Sequence, residues 1–186
     1  ALYAGPGHWN DPDILHIGHG AFDAANPVEV RSHFSLWAMI NAPLLVSYDL
    51  RNGPASLLAV LGNADVVRLN QDPAGHQGVV TYDSDDAQII VKTLGDGGRK
   101  AVALFNRGAS PAPVTLLASH LKLADNAPVT LRDLWSKQST TFTGEKEFTL
   151  KPHETLVFEA SGKRQLENGV YLSEIPGAIN VAVDGT

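Results

Sequence analysis

Apolar positions recur along this chain with two different periods. Between Asn26 and Asn41 the spacing is helical: Val30, Phe34 and Trp37, continued by Asn41, fall on one face, and Leu36, Met39 and Ile40 widen the stripe. The start is marked by Asn26 as cap, Pro27 at the first helical position and Glu29 where a capping-box acid belongs. Pro43 ends the helix. Leu44–Val46 then reads as a short buried strand bounded by Ser47, Tyr48 and Asp49. Two short helices are predicted over Ala55–Leu61, after Pro54, and over Ala64–Asn70, after Asn63. Ahead of the first helix, residues 1–4 (ALYA) read as the end of a strand. GPGHWNDPD (Gly5–Asp13) reads as an irregular but well-fixed loop, because Pro6 and Pro12 lock φ while Gly5 and Gly7 permit unusual angles. Strand, loop, helix, strand, helix is the rhythm of βα units. Two such units cannot close a sheet or cover its faces, so the segment is expected to be the end of a larger α/β domain.

From Val79 the period changes to that of strands. Gln88–Leu94, Lys100–Asn106, Val114–Leu116, Val129–Leu134, Thr140–Phe142, Glu147–Leu150 and Thr155–Glu159 are short β-rich runs punctuated by Gly, Asn, Asp and Pro, as in an antiparallel sandwich or barrel. In Lys100–Asn106 both alternating sets are largely apolar, which predicts a strand covered on both faces. The boundary between the two regions is expected in Asp72–Gly78 (DPAGHQG), and SGKRQLENG, from Ser161, reads as a linker.

Composition narrows the function classes. The 186 residues are 44% hydrophobic and 18% charged, with a formal net charge of −6 and no basic run, which argues against a nucleic-acid or anionic-membrane partner. No apolar stretch approaches the ~20 residues of a bilayer span. The absence of cysteine removes disulfides, thiol catalysis and thiolate metal sites together.

Separated blocks carry a resemblance: GPGHWNDPDIL (Gly5–Leu15), RSHFSLWAMINAPLLVSYDLR (Arg31–Arg51), NADVVRLNQDPAGHQG (Asn63–Gly78), and ALFNRG with LRDLW (Ala103–Gly108, Leu131–Trp135). In order and spacing they resemble the family 27 glycoside hydrolases, the α-galactosidases and α-N-acetylgalactosaminidases, and KPHETLVFEA (Lys151–Ala160) is similar to that family's last strand. The resemblance implies an α/β plus all-β architecture. Residues 1–72 would be the last two strand–helix units of a (β/α)8 TIM barrel, 73–160 an antiparallel β-sandwich, and 161–186 a linker and the start of a further module. YLSEIP (Tyr171–Pro176) is weakly similar to the first strand of a galactose-binding-like module.

The same resemblance implies a retaining glycosidase acting on terminal α-linked galactose or a close relative, with no cofactor. Such enzymes use two carboxylates ~5 Å apart. In this family both are aspartates on earlier barrel strands, so no catalytic residue is expected in this chain and its partner is the front half of the barrel. The Gly5–Asp13 loop would follow a strand at the catalytic face. Asp13 matches a position lining the sugar pocket. Ile14 stands beside it where Met is usual. Trp9, Asn10 and Asp11 read as scaffold of the loop. A secreted or periplasmic protein of bacterial type is the expectation.

Other readings stand beside these. As a residue alone, Asp13 reads as a turn aspartate capping its own backbone. His8, His16 and His19 lie near Asp11, Asp13 and Asp23, but their spacing fits no ligand pattern and no metal is expected. His33 reads as a hydrogen-bonded helical residue. Asp49 and Arg51 either face the active-site rim or hold their loop by an ion pair. The alternative function is a non-catalytic carbohydrate-binding β-domain on a barrel remnant, for which Trp135 is the one tryptophan available as a stacking platform.

Overall fold

A computed structural model of the chain describes residues 4–95 and 99–166. The expectations for residues 1–3 and for Tyr171–Pro176 lie outside the described residues.

The α/β part holds three helices, α1 (Pro27–Met39), α2 (Ala55–Leu61) and α3 (Ala64–Asn70), at the expected positions. Their caps differ. Asn63 caps α3 as a capping asparagine should, its side-chain oxygen accepting from Asp65 N at 3.1 Å and Val66 N at 3.5 Å. Asn26 makes no such bond at α1. Its backbone sits at φ −117°, ψ 66°, and its amide instead donates to Asp23 Oδ1 at 3.2 Å. Glu29 does not close a capping box either, because it faces His153 of the β-domain, Oε1 to Nδ1 3.4 Å.

A paired stretch stands between the Gly5–Asp13 loop and α1. Leu15 forms a parallel bridge with Val46, and Leu15 N donates to the Leu45 carbonyl at 2.7 Å. The Gly5–Asp13 loop therefore leads into this extended run. Leu44–Val46 is correspondingly less buried than its composition suggests: Leu45 is 58% exposed, since among the described residues this stretch pairs on one side only.

Eight strands follow: β1 (Val79–Asp83), β2 (Ala87–Thr93), β3 (Lys100–Asn106), β4 (Ala112–Leu117), β5 (Pro128–Asp133), β6 (Ser139–Thr143), β7 (Glu145–Leu150) and β8 (Thr155–Gly162). A six-stranded antiparallel sheet in the order β1-β2-β3-β8-β5-β6 faces the two-stranded β4-β7 sheet. The chain stays on this sandwich beyond Ala160, because β8 runs to Gly162 and Arg164 bridges Leu123. β1 carries no burial alternation, being exposed throughout.

β3 is the wall shared by two cores, as its two apolar faces predict. Val102 and Leu104 point into the sandwich with Leu116, Leu131 and Phe158. Ala101 and Ala103 point the other way, into a core shared with Val30, Phe34 and Met39 of α1. Their small side chains let the helix lie close on the sheet. Polar groups stitch the same junction. Ser32 Oγ donates to the His153 carbonyl at 2.7 Å and accepts from Thr155 N at 2.8 Å. Trp135 Nε1 donates to Ser35 Oγ at 3.0 Å. α1 is thus buried on two sides.

Candidate active site

The Gly5–Asp13 loop is built from turn-formers and is held at three points. Gly5 and His8 bridge each other across the first turn, 3.0 Å each way. Asn10 Nδ2 donates to Gln77 Oε1 at 2.6 Å. Asp11 Oδ1 accepts from Asp13 N at 2.9 Å, an Asx-turn that sets the backbone just past Pro12. Trp9, 40% exposed, lies over Gly75, and a cleft of about 400 Å³ opens between Pro6 and Trp9 on one side and Asn41, Asn70 and Asp72 on the other.

Asp13 itself has φ +75°, the left-handed region. A non-glycine residue there carries strain of roughly 1 kcal/mol, least for Asp and Asn. Its side chain is exposed and accepts no hydrogen bond from the described residues, so it does not cap its own backbone; Asp11 does that work. Ile14 is 38% exposed, while Leu15 and Ile17 are fully buried against α1.

Past Leu15 the chain enters a cluster of rings. His33 Nε2 accepts from His16 N at 3.1 Å, and the His33 ring stacks on Phe22 with centroids 4.3 Å apart and lies 4.2 Å from Trp37. Burial, aided by the charge of His16, pushes His33 down to about 4, so it is a neutral acceptor at physiological pH. Tyr48 covers Gly18 so closely that a Cβ there would collide with its ring. Among the described residues no group of three or more His, Asp or Glu is arranged to hold a metal ion.

Asp49 and Arg51 form a two-pronged ion pair, 2.9 and 2.7 Å, and Asp49 Oδ1 also accepts from Arg51 N at 3.1 Å. Both side chains are exposed, and the pair fixes its own turn. Trp135 is half-buried, bonded to Ser35 and with the Arg31 guanidinium 5.4 Å from its ring centre, so its face is engaged by the α/β part. Gln77 and Gly75, which clamp the loop, were not singled out from sequence. They lie in a stretch that reads as a domain boundary, yet residues 74–78 are buried.

Comparison with known proteins places this geometry. Residues 1–72 match the family described as alpha galactosidase A, and residues 84–160 match the alpha galactosidase C-terminal beta sandwich domain. The chain belongs to glycoside hydrolase family 27, the α-galactosidase family. It is 39% identical over 158 residues to an α-galactosidase of Oryza sativa, covering 85% of this chain and 37% of that one. It is 41% identical over 143 residues to α-galactosidase 3 of Arabidopsis thaliana, covering 76% of this chain and 32% of that one. The chain therefore spans about a third of the length of these curated relatives. Among solved structures, α-galactosidase I of Mortierella vinacea superposes with a TM-score of 0.80 at 24% identity, over 87% of this chain and 41% of that one, a likeness of fold. Relatives occur in plants, fungi and bacteria, so this family membership gives no support to a bacterial source. Among the described residues no helix is long and apolar enough to cross a membrane.

Proposed function

We propose that this chain is the C-terminal portion of a retaining α-galactosidase that releases terminal α-linked galactose, or a closely related sugar, from oligo- or polysaccharides. In this reading residues 1–72 form the last two strand–helix units of a (β/α)8 barrel and 73–160 the body of the β-sandwich. The linker toward a further module starts only past Arg164, where the last contact with the sandwich described above is made. The parallel bridge of Leu15 with Val46, with α1 packed back over Leu15 and Ile17, supports the barrel assignment. The front half of the barrel covers the exposed Leu45 and supplies the nucleophile and the general acid/base. The enzyme is secreted or periplasmic, where such substrates are met.

The observation that carries the reading is the presentation of Asp13. Asp11 and Pro12 hold its backbone in a strained left-handed conformation, and its carboxylate is left without a partner among the described residues. A carboxylate fixed in that way accepts charge-assisted hydrogen bonds from sugar hydroxyls. Asp13 and Ile14 therefore contact the terminal sugar, and Trp9, Asn10 and Asp11 are scaffold. Attack by the front-half nucleophile on the anomeric carbon breaks the glycosidic C–O bond as the general acid protonates the departing oxygen, giving a covalent glycosyl-enzyme. Water, deprotonated by the same acid/base carboxylate, opens it with retention of configuration. No metal or cofactor enters.

The test is the full-length protein on p-nitrophenyl α-galactopyranoside, followed by proton NMR. Release of α-galactose before mutarotation is expected. Release of the β-anomer first, or no hydrolysis, contradicts the proposal.

A further inference from the structure

The segment 72–78, buried from Ala74 onward, joins the two halves of the chain, and it is too firmly held to be a passive linker. Gly78 N donates to the Met39 carbonyl at 2.8 Å, and a Cβ at Gly78 would lie 2.8 Å from Ile90 Cγ2 and 2.9 Å from that carbonyl oxygen. Asp72 Oδ1 accepts from Ala74 N at 3.2 Å and from Gly95 N at 3.1 Å. The segment is thus clamped between the end of α1 and strand β2 of the sandwich.

From that clamp two contacts reach the Gly5–Asp13 loop. Gly75, at φ +64°, lies under Trp9 and Pro6, where a Cβ would come within 2.7 Å of Trp9 Cη2 and 3.0 Å of Pro6 Cγ. Gln77, 8% exposed, presents Oε1 to Asn10 Nδ2 at 2.6 Å. Asn10 is exposed, and this is its one side-chain hydrogen bond among the described residues. Between Asn10 and Asp13 the chain has little freedom, with φ of Pro12 fixed and Asp13 N tied to Asp11. A displacement of Asn10 is therefore passed along the backbone toward Asp13.

We propose that Gln77 is a positioning residue for substrate binding, setting the place of Asp13 through Asn10 and so coupling the β-sandwich to the sugar pocket. This rests on the assignment of Asp13 to that pocket. A shift well under 1 Å in an orienting group is enough to weaken a bound geometry.

The experiment uses the full-length enzyme with p-nitrophenyl α-galactopyranoside and the variants Gln77→Leu, Asn10→Ala, the double variant and Gln77→Glu. Asn10→Ala is at an exposed site and keeps the test valid should Gln77→Leu fail to fold. Expected for Gln77→Leu and Asn10→Ala is a rise in KM of roughly ten-fold with kcat within about three-fold. The double variant is no worse than either, because the two act as one unit. Gln77→Glu, which keeps an acceptor oxygen, recovers most of the KM. An active wild type with unchanged KM in Asn10→Ala overturns this inference alone. A wild type inactive on α-galactosides overturns the functional reading, and this inference with it.

Discussion

The ammonium of Lys92 donates to Asn41 Oδ1 from a position with no solvent exposure. Asn41 stands just past the end of α1 at φ +56°, and the same ammonium reaches the Leu69 carbonyl in α3 and the Ala38 carbonyl in α1, the latter at 3.4 Å. One lysine of the sandwich thus meets the negative ends of two helices in the α/β part. Lys92→Met would leave Asn41 Oδ1 and the Leu69 carbonyl without this donor at about 1–3 kcal/mol each, partly offset by no longer burying a charge, while the Ala38 carbonyl keeps Asn41 N. A net loss of about 2 kcal/mol is expected in denaturation of the full-length protein. Wild-type stability in the variant would show that the contact contributes nothing.

The same lysine has a pH signature. Burial, only partly countered by the charge of Asp72, pushes Lys92 down from 10.5 to about 8. Between those values the unfolded chain binds the proton more tightly than the folded one, so this group's contribution to stability rises as pH climbs from about 8 to 10.5. The stability gap between wild type and Lys92→Met is expected to widen over that window. A constant gap would mean an ordinary lysine.

How much of this was legible in the sequence depended on the range over which each feature acts. Helix ends set by Pro54 or Asn63, and strands with clear apolar runs such as Lys100–Asn106, are local and appeared where expected. Lys92 was not legible as a buried group, because a lysine in a strand reads as solvent-facing until its distant acceptors are known. Gln77 was hidden for the same reason: its partner lies 67 residues away. At the candidate site the residue type and turn chemistry of Asp13 could be read, whereas its positive φ and the role of Asp11 in holding it needed the coordinates.

Asp65 joins the two halves electrostatically. Its carboxylate meets Arg132 and Arg68 at 2.8 Å each and Lys137 at 2.6 Å. Burial alone would raise its pKa, but these bonds outweigh it and hold the carboxyl well below the usual range. With a depressed folded value, the stabilisation is complete above the unfolded value of 3.8 and is lost as pH falls below it. Asp65→Asn is expected to lose about 2 kcal/mol at pH 7, discounted from the buried-pair range because its partners are partly exposed. The difference from wild type should shrink below pH 4. Equal stability of the two proteins at pH 7 would remove the network from the interface.

His33 gives an acid sensitivity of its own. Because its folded value is depressed to about 4 from 6.5, its contribution is complete above 6.5 and falls away as pH drops toward 4. His33→Gln, which keeps an acceptor for His16 N but cannot titrate, should flatten the pH–stability curve in that window. Parallel curves for variant and wild type would contradict the assignment of His33 as a buried neutral acceptor.

The role of Asp13 is decided by kcat/KM and melting temperature measured together on full-length Asp13→Asn. Asn tolerates the left-handed backbone, so the fold and melting temperature should be kept. Loss of a charge-assisted hydrogen bond to the sugar costs about 1.5–3 kcal/mol, or roughly ten- to a hundred-fold in kcat/KM on an α-galactoside. The covalent glycosyl-enzyme should still form, more slowly. Unchanged kcat/KM with a markedly lower melting temperature would make Asp13 a structural residue and take the sugar pocket away from this loop.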